Sequence, residues 1–373
     1  MKVIISGGGT GGHIFPAISI ANALKEADPT VEILFVGAKG KMEMEKVPAA
    51  GYNIVGLPVA GFHRKINLRN ICRNMLFPFR LIASLMKAGS IIRQFKPDAA
   101  VGVGGYASGP VLRKASKKGI PCLLQEQNSY PGVTNKILAK KAKRICVAYP
   151  DMDRFFDKSK IIMTGNPVRQ ALLAPVDRNE AADFFGLDPK KPVILVIGGS
   201  LGARSINEGL SASLDDLKEG VQLLWQTGKF YYDNIKTIVD SRSQQNIKAF
   251  DFIKRMDLAF GLADIVVSRA GASSISELAL LGKPSILVPS PNVSEDHQTK
   301  NAMALVNKGA AMIIKDCDTR LLISESQKAL SNTENLKSLS ENIKQFARPN
   351  AAADIAKEVF AIAKKRMTKN ADF

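Results

Sequence analysis

Five glycines surround Thr10 in the stretch Ile5–His13, ISGGGTGGH, and His13 closes it. Glycine has no side chain to keep a ligand off the backbone. A glycine turn between a strand and a helix therefore lets N–H groups face an anion or a sugar, and the helix dipole adds favourable potential there. An imidazole at that helix start could take a proton from an attacking hydroxyl, and the positive helix end would hold it neutral. Glu126 is the alternative base. Two more glycine loops follow apolar runs, GGSLGAR at 198–204 and GVGGYASGP at 102–110. Three such loops at the carboxyl ends of strands predict the ligand-binding edges of parallel sheets.

GGGTGG matches the dinucleotide pattern GxGxxG, but that pattern needs an acid at the end of the second strand to hold a ribose. The second apolar run ends Phe35-Val36-Gly37-Ala38-Lys39, and Glu32 stands at its beginning, so a nicotinamide enzyme is disfavoured. A Walker loop is excluded because no Gly-Lys-Ser/Thr follows. Further on, SRAGASSISE places Ser274-x-x-Glu277 as a capping box. A carboxylate one turn into that helix could also accept both hydroxyls of a ribose. The DxD strings Asp151–Asp153 and Asp316–Asp318 adjoin no glycine loop, and His13, His63 and His297 have no zinc-like spacing, so no metal site is expected. Cys72, Cys122, Cys146 and Cys317 are scattered without a CxxC, which suits reduced thiols.

The elements that must hold these groups alternate. Short apolar runs such as 3–6, 31–36, 99–103, 193–197 and 265–268 are separated by helix-length segments such as 14–27, 205–217, 274–281 and 296–307. The strand-then-glycine opening restarts at Val193. This predicts an α/β chain of two doubly wound parallel-sheet domains. The expected hinge lies near Gly165–Arg169. A second break at Ala347–Asn350 precedes a last helix over 351–366.

The chain has 373 residues and a net charge of +18. Residues 1–168 carry 25 Lys and Arg against 10 Asp and Glu, whereas residues 169–348 carry 22 against 21. Between Lys46 and Pro97 there is no acid at all. There Arg69, Arg73, Arg80 and Lys87 recur on one helical stripe, beside Met75, Phe79, Ile82 and Met86, with Pro78 expected to kink or break the helix. An anionic membrane surface fits that pattern; its aliphatic setting suits lipid better than the base stacking of nucleic acid. No apolar run is long enough to span a bilayer.

GGGTGGHIFPA, KPDAAVGVGGYASGP, EQNSYPGVTNK, GNPVR, GGSLGARSIN, RAGASSISEL and DHQTKNA occur in this order, and together they resemble the MurG family of N-acetylglucosaminyltransferases, from residue 2 to about residue 360. The resemblance implies a GT-B fold: two facing Rossmann-like domains with a cleft between them. Residues 1–168 with 349–373 would form the acceptor and membrane-associating domain, and residues 169–348 the domain that binds UDP-N-acetylglucosamine. It implies inverting transfer of N-acetylglucosamine from UDP-N-acetylglucosamine to the 4-hydroxyl of the muramyl sugar of lipid I, giving lipid II at the cytoplasmic membrane face without a cofactor. Carried over by motif, Thr10, Gly11, Gly12 and Asn128 would contact the donor sugar or the acceptor. Arg169 and Ser200 would lie near the diphosphate, and Ile253 would meet the uracil through its backbone. Ala272, Ser273 and Ser274 would border the phosphates, Glu277 the ribose and Gln298 the donor sugar. Gln125 departs from the family, where many relatives have His, so no catalytic weight falls on it. A UDP-N-acetylglucosamine 2-epimerase is the alternative with the same architecture.

Overall fold

The structure, a computed structural model, describes residues 1–59, 77–199, 201–242 and 245–371. Ser200, Arg69, Arg73 and Met75 lie outside the described residues. Backbone contacts divide the chain into Met1–Val168 with Arg348–Phe373, and Arg169–Ala347.

In the first unit the apolar runs become β1 (Lys2–Ser6), β2 (Glu32–Ala38), β3 (Asn53–Leu57), β4 (Ala99–Gly102), β5 (Cys122–Glu126), β6 (Arg144–Val147) and β7 (Ile161–Met163). Between them run α1 (Gly11–Ala27), α2 (Glu43–Ala49), α3 (Phe77–Phe95), α4 (Ser108–Lys117) and α5 (Val133–Ala139). Strand order is β3-β2-β1-β4-β5-β6-β7, every pair parallel. Order reverses between β1 and β4, the switch point at which such sheets bind ligands. The two-residue period of β1 sorts its side chains. Val3 and Ile5 pack with Ile20 and Leu24 of α1, while Ile4 packs on the other face with Ile92 and Leu112.

The second unit repeats this plan. Its strands are β8 (Val193–Ile197), β9 (Gln222–Gln226), β10 (Ile247–Phe250), β11 (Ile265–Ser268), β12 (Ser285–Leu287) and β13 (Met312–Ile313), in the parallel order β10-β9-β8-β11-β12-β13. Its helices are α6 (Arg178–Phe185), α7 (Arg204–Ser211), α8 (Tyr232–Asp240), α9 (Met256–Leu262), α10 (Ala272–Leu281), α11 (His297–Val306), α12 (Leu322–Leu330) and α13 (Thr333–Lys344).

The last helix, α14 (Ala351–Ala371), belongs to the first unit. Ile355, Val359 and Ile362 recur at helical spacing and bury against the α1 side of the first sheet. Arg144 pairs with Glu358 at 3.1 Å beside them. Arg348 also falls in this unit, its side chain against the bare backbone of Gly165.

Two local expectations change. β3 and β10 were not anticipated; both are short edge strands, NIVGL and IKAF, that are only partly buried. The capping box fails: Gly271 is the N-cap of α10, which puts Ser274 at its third residue, and the Glu277 carboxylate turns to Arg169 instead. Pro78 is the second described residue of α3, and the residues before Phe77, on which the expected kink or break depends, lie outside the described residues.

Candidate functional site

In the first unit β1 ends at Ser6 and α1 starts at Gly11, so residues 7–10 form the turn at the switch point. Much of the glycine content answers to packing. A Cβ on Gly7 would strike Val103, and one on Gly105 would strike the Gly8 carbonyl, so two glycine loops lie directly on one another. Gly8 has φ +141°, and a side chain there would strike the Glu43 carboxylate. That carboxylate, at the start of α2, accepts from Gly9 N–H at 2.9 Å and from Ala38 N–H at 2.9 Å. Gly9 and Gly12, by contrast, have open space or only Thr10 Oγ1 where a side chain would sit. The loop therefore turns its inner face to the protein's own acid and its outer face to solvent. Sequence reading missed Glu43 because it sought an acid at the strand end and stopped before the next helix. Glu43 and Glu126 are the two buried carboxylates among the described residues.

This yields a prediction. Glu43→Ala strands the buried Ala38 N–H, at a cost of roughly 1–3 kcal/mol, and releases the Gly9 N–H at the exposed turn. Urea unfolding should show the variant destabilised by that order. An unchanged midpoint would mean the carboxylate does not hold the loop.

His13 is the third residue of α1. Its Nδ1 lies 3.2 Å from Thr10 Oγ1. Its Cδ2–Nε2 edge lies 2.9 Å from where a Gly104 side chain would begin, and Gly104 has φ +91°. With Nδ1 protonated toward Thr10 Oγ1, Nε2 carries the lone pair of the ring. Thr10, Gly11, Gly12 and His13 are thus brought together at one helix start, with the Gly102–Pro110 loop against them.

Glu126 is arranged differently. It accepts from Asn128 N–H at 3.1 Å, Asn128 Nδ2 at 3.3 Å, Gly132 N–H at 3.2 Å and Asn135 Nδ2 at 2.8 Å. Burial pushes its carboxyl above the usual carboxylate range, against the pull of those four bonds. A buried acid already engaged by four N–H groups shapes the EQNSYPG loop and positions Asn128. Gln125 is fully buried and donates to Asn166 at 2.9 Å, and Asn166 in turn donates to the Gln127 carbonyl at 3.0 Å.

In the second unit Arg169 makes a two-pronged pair with Glu277, Nε to Oε1 at 2.8 Å and Nη2 to Oε2 at 3.0 Å. Ala272, Ser273 and Ser274 are the first residues of α10, whose N-cap Gly271 offers no side-chain cap, so their N–H groups have no partner from the helix itself. Ile253 N–H already bonds Gln226 Oε1 at 2.9 Å. Gln298, second in α11, accepts from Ser290 N–H at 2.9 Å and pins the loop that precedes it. That loop bends through left-handed Glu295 and Asp296, φ +59° and +50°. Asp316 of the second DxD string is held by Arg269 and by Ser205. Among the described residues no three His, Cys, Asp or Glu gather as a metal site.

On α3 the apolar residues picked out by sequence face outward. Phe79, Ile82 and Met86 are 70%, 56% and 70% exposed, while Ala88, Ile91 and Ile92 enter the core. Arg80 is exposed beside them. Lys87, also exposed, donates its ammonium to the Gly56 carbonyl at 2.8 Å.

Residues 3–147 match the glycosyltransferase family 28 N-terminal domain, and residues 193–359 match the family's C-terminal domain. The chain belongs to glycosyltransferase family 28. It is 57% identical over 374 residues to the UDP-N-acetylglucosamine--N-acetylmuramyl-(pentapeptide) pyrophosphoryl-undecaprenol N-acetylglucosamine transferase of Phocaeicola vulgatus, spanning 99% of this chain and 98% of that protein. It is 56% identical over 370 residues to the Bacteroides fragilis protein of the same name, spanning 98% and 96%. Among solved structures, MurG of Acinetobacter baumannii superposes with a TM-score of 0.78 at 28% identity, covering 96% of this chain and 99% of that one. These family 28 halves, each a doubly wound parallel sheet, are the GT-B fold. The UDP-GlcNAc 2-epimerase of Neisseria meningitidis also superposes, at a TM-score of 0.67, 14% identity and coverage of 97% and 100%, a likeness of fold alone.

Proposed function

We infer that this chain transfers N-acetylglucosamine from UDP-N-acetylglucosamine to the 4-hydroxyl of the muramyl sugar of lipid I, with inversion, forming the β1→4 bond of lipid II. The observation that carries this is identity above 55%, over nearly the whole chain, to transferases of that name.

The residues divide the work. In the first unit the muramyl sugar lies along the open outer face of Gly9–Gly12, ordered by Thr10 and Asn128. As the 4-oxygen bonds to the anomeric carbon, its proton passes to His13 Nε2. The bond from that carbon to the diphosphate breaks, and UDP departs with the electron pair. Glu43 suits this assignment, since a carboxylate behind the loop repels phosphate and tolerates a neutral sugar. In the second unit Glu277 accepts the ribose hydroxyls and the start of α10 faces the phosphates. Arg169, released from Glu277, stabilises the leaving diphosphate. With its N–H taken by Gln226, Ile253 reads uracil through its carbonyl. Gln298 addresses the donor sugar.

Incubation with UDP-N-acetylglucosamine and a short-chain lipid I analogue should yield the disaccharide and UDP. Formation of UDP-N-acetylmannosamine without disaccharide would overturn the reading.

The enzyme works at the cytoplasmic face of the membrane as a peripheral protein. Phe79, Ile82 and Met86 enter the interface and Arg80 meets lipid phosphate. No described helix is long and apolar enough to cross a bilayer. Replacing Phe79, Ile82 and Met86 together with serine should reduce flotation with anionic liposomes by about tenfold or more. Unchanged flotation would remove this face from membrane contact.

A further inference from the structure

Glu43 is 1% exposed and makes no ion pair among the described residues. Burying a carboxylate without a cation costs stability unless hydrogen bonds offset it. Two glycines stay bare to admit this one. A side chain on Gly8 of the first loop would strike its carboxylate, and a side chain on Gly37 of β2 would strike its Cγ. Room cleared from two elements for one costly side chain points to a task beyond packing.

The carboxylate holds the part of the loop that packing leaves loose. Gly9 has φ +91° and open space where a side chain would sit, so no side-chain contact fixes it. Glycine in such a turn has wide torsional freedom. The Gly9 N–H bond to Glu43 Oε2, at 2.9 Å, restrains it from the inner side. Glu43 Oε1 is itself anchored by the buried Ala38 N–H at the end of β2, also at 2.9 Å. The next residue, Thr10, is the N-cap of α1. Its carbonyl accepts from His13 N–H at 3.1 Å and Ile14 N–H at 3.2 Å, and its hydroxyl lies 3.2 Å from His13 Nδ1. The start of the helix and the direction of the ring thus share the placement of Thr10. One peptide link separates the bond that ties the loop to Glu43 from the contact that orients the imidazole.

We propose that Glu43 is a positioning residue for the transfer: by fixing Gly9 it fixes Thr10, and through Thr10 the direction of the His13 ring. This rests on the transferase reading above, in which His13 takes the acceptor proton. Misplacing a reacting group by about 1 Å can cost about a hundredfold in rate. An acid that only packed would lower stability and leave the turnover of each folded molecule unchanged.

Glu43→Gln in the full-length protein is the test. It keeps the side-chain volume but offers one oxygen to two N–H groups. That oxygen should stay with the buried Ala38 N–H, and the amide should turn its own N–H groups toward Gly9. kcat should fall about tenfold or more with the KM for UDP-N-acetylglucosamine unchanged, because the residues assigned to the donor lie in the other unit. In the His13→Ala background the same substitution should change kcat by less than about twofold, because the group it positions is gone. The His13 ring signals in NMR spectra, assigned by their loss in His13→Ala, should shift in Glu43→Gln while those of His297 in the second unit stay in place. Stabilisation by UDP-N-acetylglucosamine in thermal melts would show that the variant is folded. Should it not fold, Glu43→Asp, whose carboxylate stops one methylene short of the loop, carries the same measurements. Wild-type kcat in a destabilised variant would leave Glu43 a structural acid and overturn the proposal. So would equal losses of kcat with and without His13, or unmoved His13 ring signals. Those signals need no turnover, so they test Glu43 independently, whereas absent disaccharide formation by the wild type would sink the transferase reading.

Discussion

His13→Ala should lower kcat by about a hundredfold or more while leaving the affinity for UDP intact. General-base assistance is worth roughly that factor, and the imidazole is the side chain at this helix start with a lone pair to offer. Its geometry makes the case specific. Thr10 Oγ1 lies 3.2 Å from Nδ1 and orients the ring, and Nε2 is the nitrogen assigned to the acceptor proton. Nucleotide binding should be untouched, because the residues assigned to UDP all belong to the other unit. Gly104→Ala offers a second measurement. A methyl there meets the ring edge at 2.9 Å and must adopt φ +91°, so it should displace the imidazole and lower kcat in the same direction. Single-turnover kinetics with saturating UDP-N-acetylglucosamine would decide; wild-type rates in His13→Ala would take the base role away from this residue.

Glu277→Ala and Arg169→Ala should separate in kinetics although the two side chains are bonded to each other. On the proposed assignment, loss of Glu277 would remove a carboxylate that accepts ribose hydroxyls in ground state and transition state alike. The expected signature is a donor KM raised about thirtyfold, from roughly 2 kcal/mol of charged hydrogen bonding, with kcat little changed. On the same assignment, loss of Arg169 would remove charge stabilisation that grows as UDP departs, so kcat should carry most of the loss. Isothermal titration with UDP adds a discriminating measurement. Arg169 occupies Glu277 in the free chain at 2.8 and 3.0 Å, so removing Arg169 frees the ribose acceptor and offsets part of the lost phosphate contact. A Glu277→Ala variant with an unaltered donor KM would show that the carboxylate serves only to anchor Arg169.

Several features were legible before any coordinates. The alternation of apolar runs with helical segments, and its restart at Val193, led to two doubly wound sheets. Strands buried on both faces must be written as continuous apolar runs. The edge strands β3 and β10 escaped because they are short and only partly buried. The exposed face of α3 was also visible, since Phe79, Ile82 and Met86 recur on one stripe beside cations. What that pattern could not say was whether the stripe faced the core or solvent; only the packing of Ala88, Ile91 and Ile92 into the first sheet decided it.

The sequence by itself determined the family, the order of elements and the glycine loops at strand ends, because local periodicity and motif order are properties of the chain alone. Tertiary structure decided what the loops face. Glu43 lies 34 residues from Gly9 and closes the inner side of the first loop, while Gly105 packs on Gly8 across nearly a hundred residues. The same applies to Glu126, on which four N–H groups from the following loop and helix converge, and to Glu277, whose partner Arg169 is 108 residues away. Motifs state which groups a chain has available. Burial and hydrogen bonding between distant residues decide which of them remain free to do chemistry.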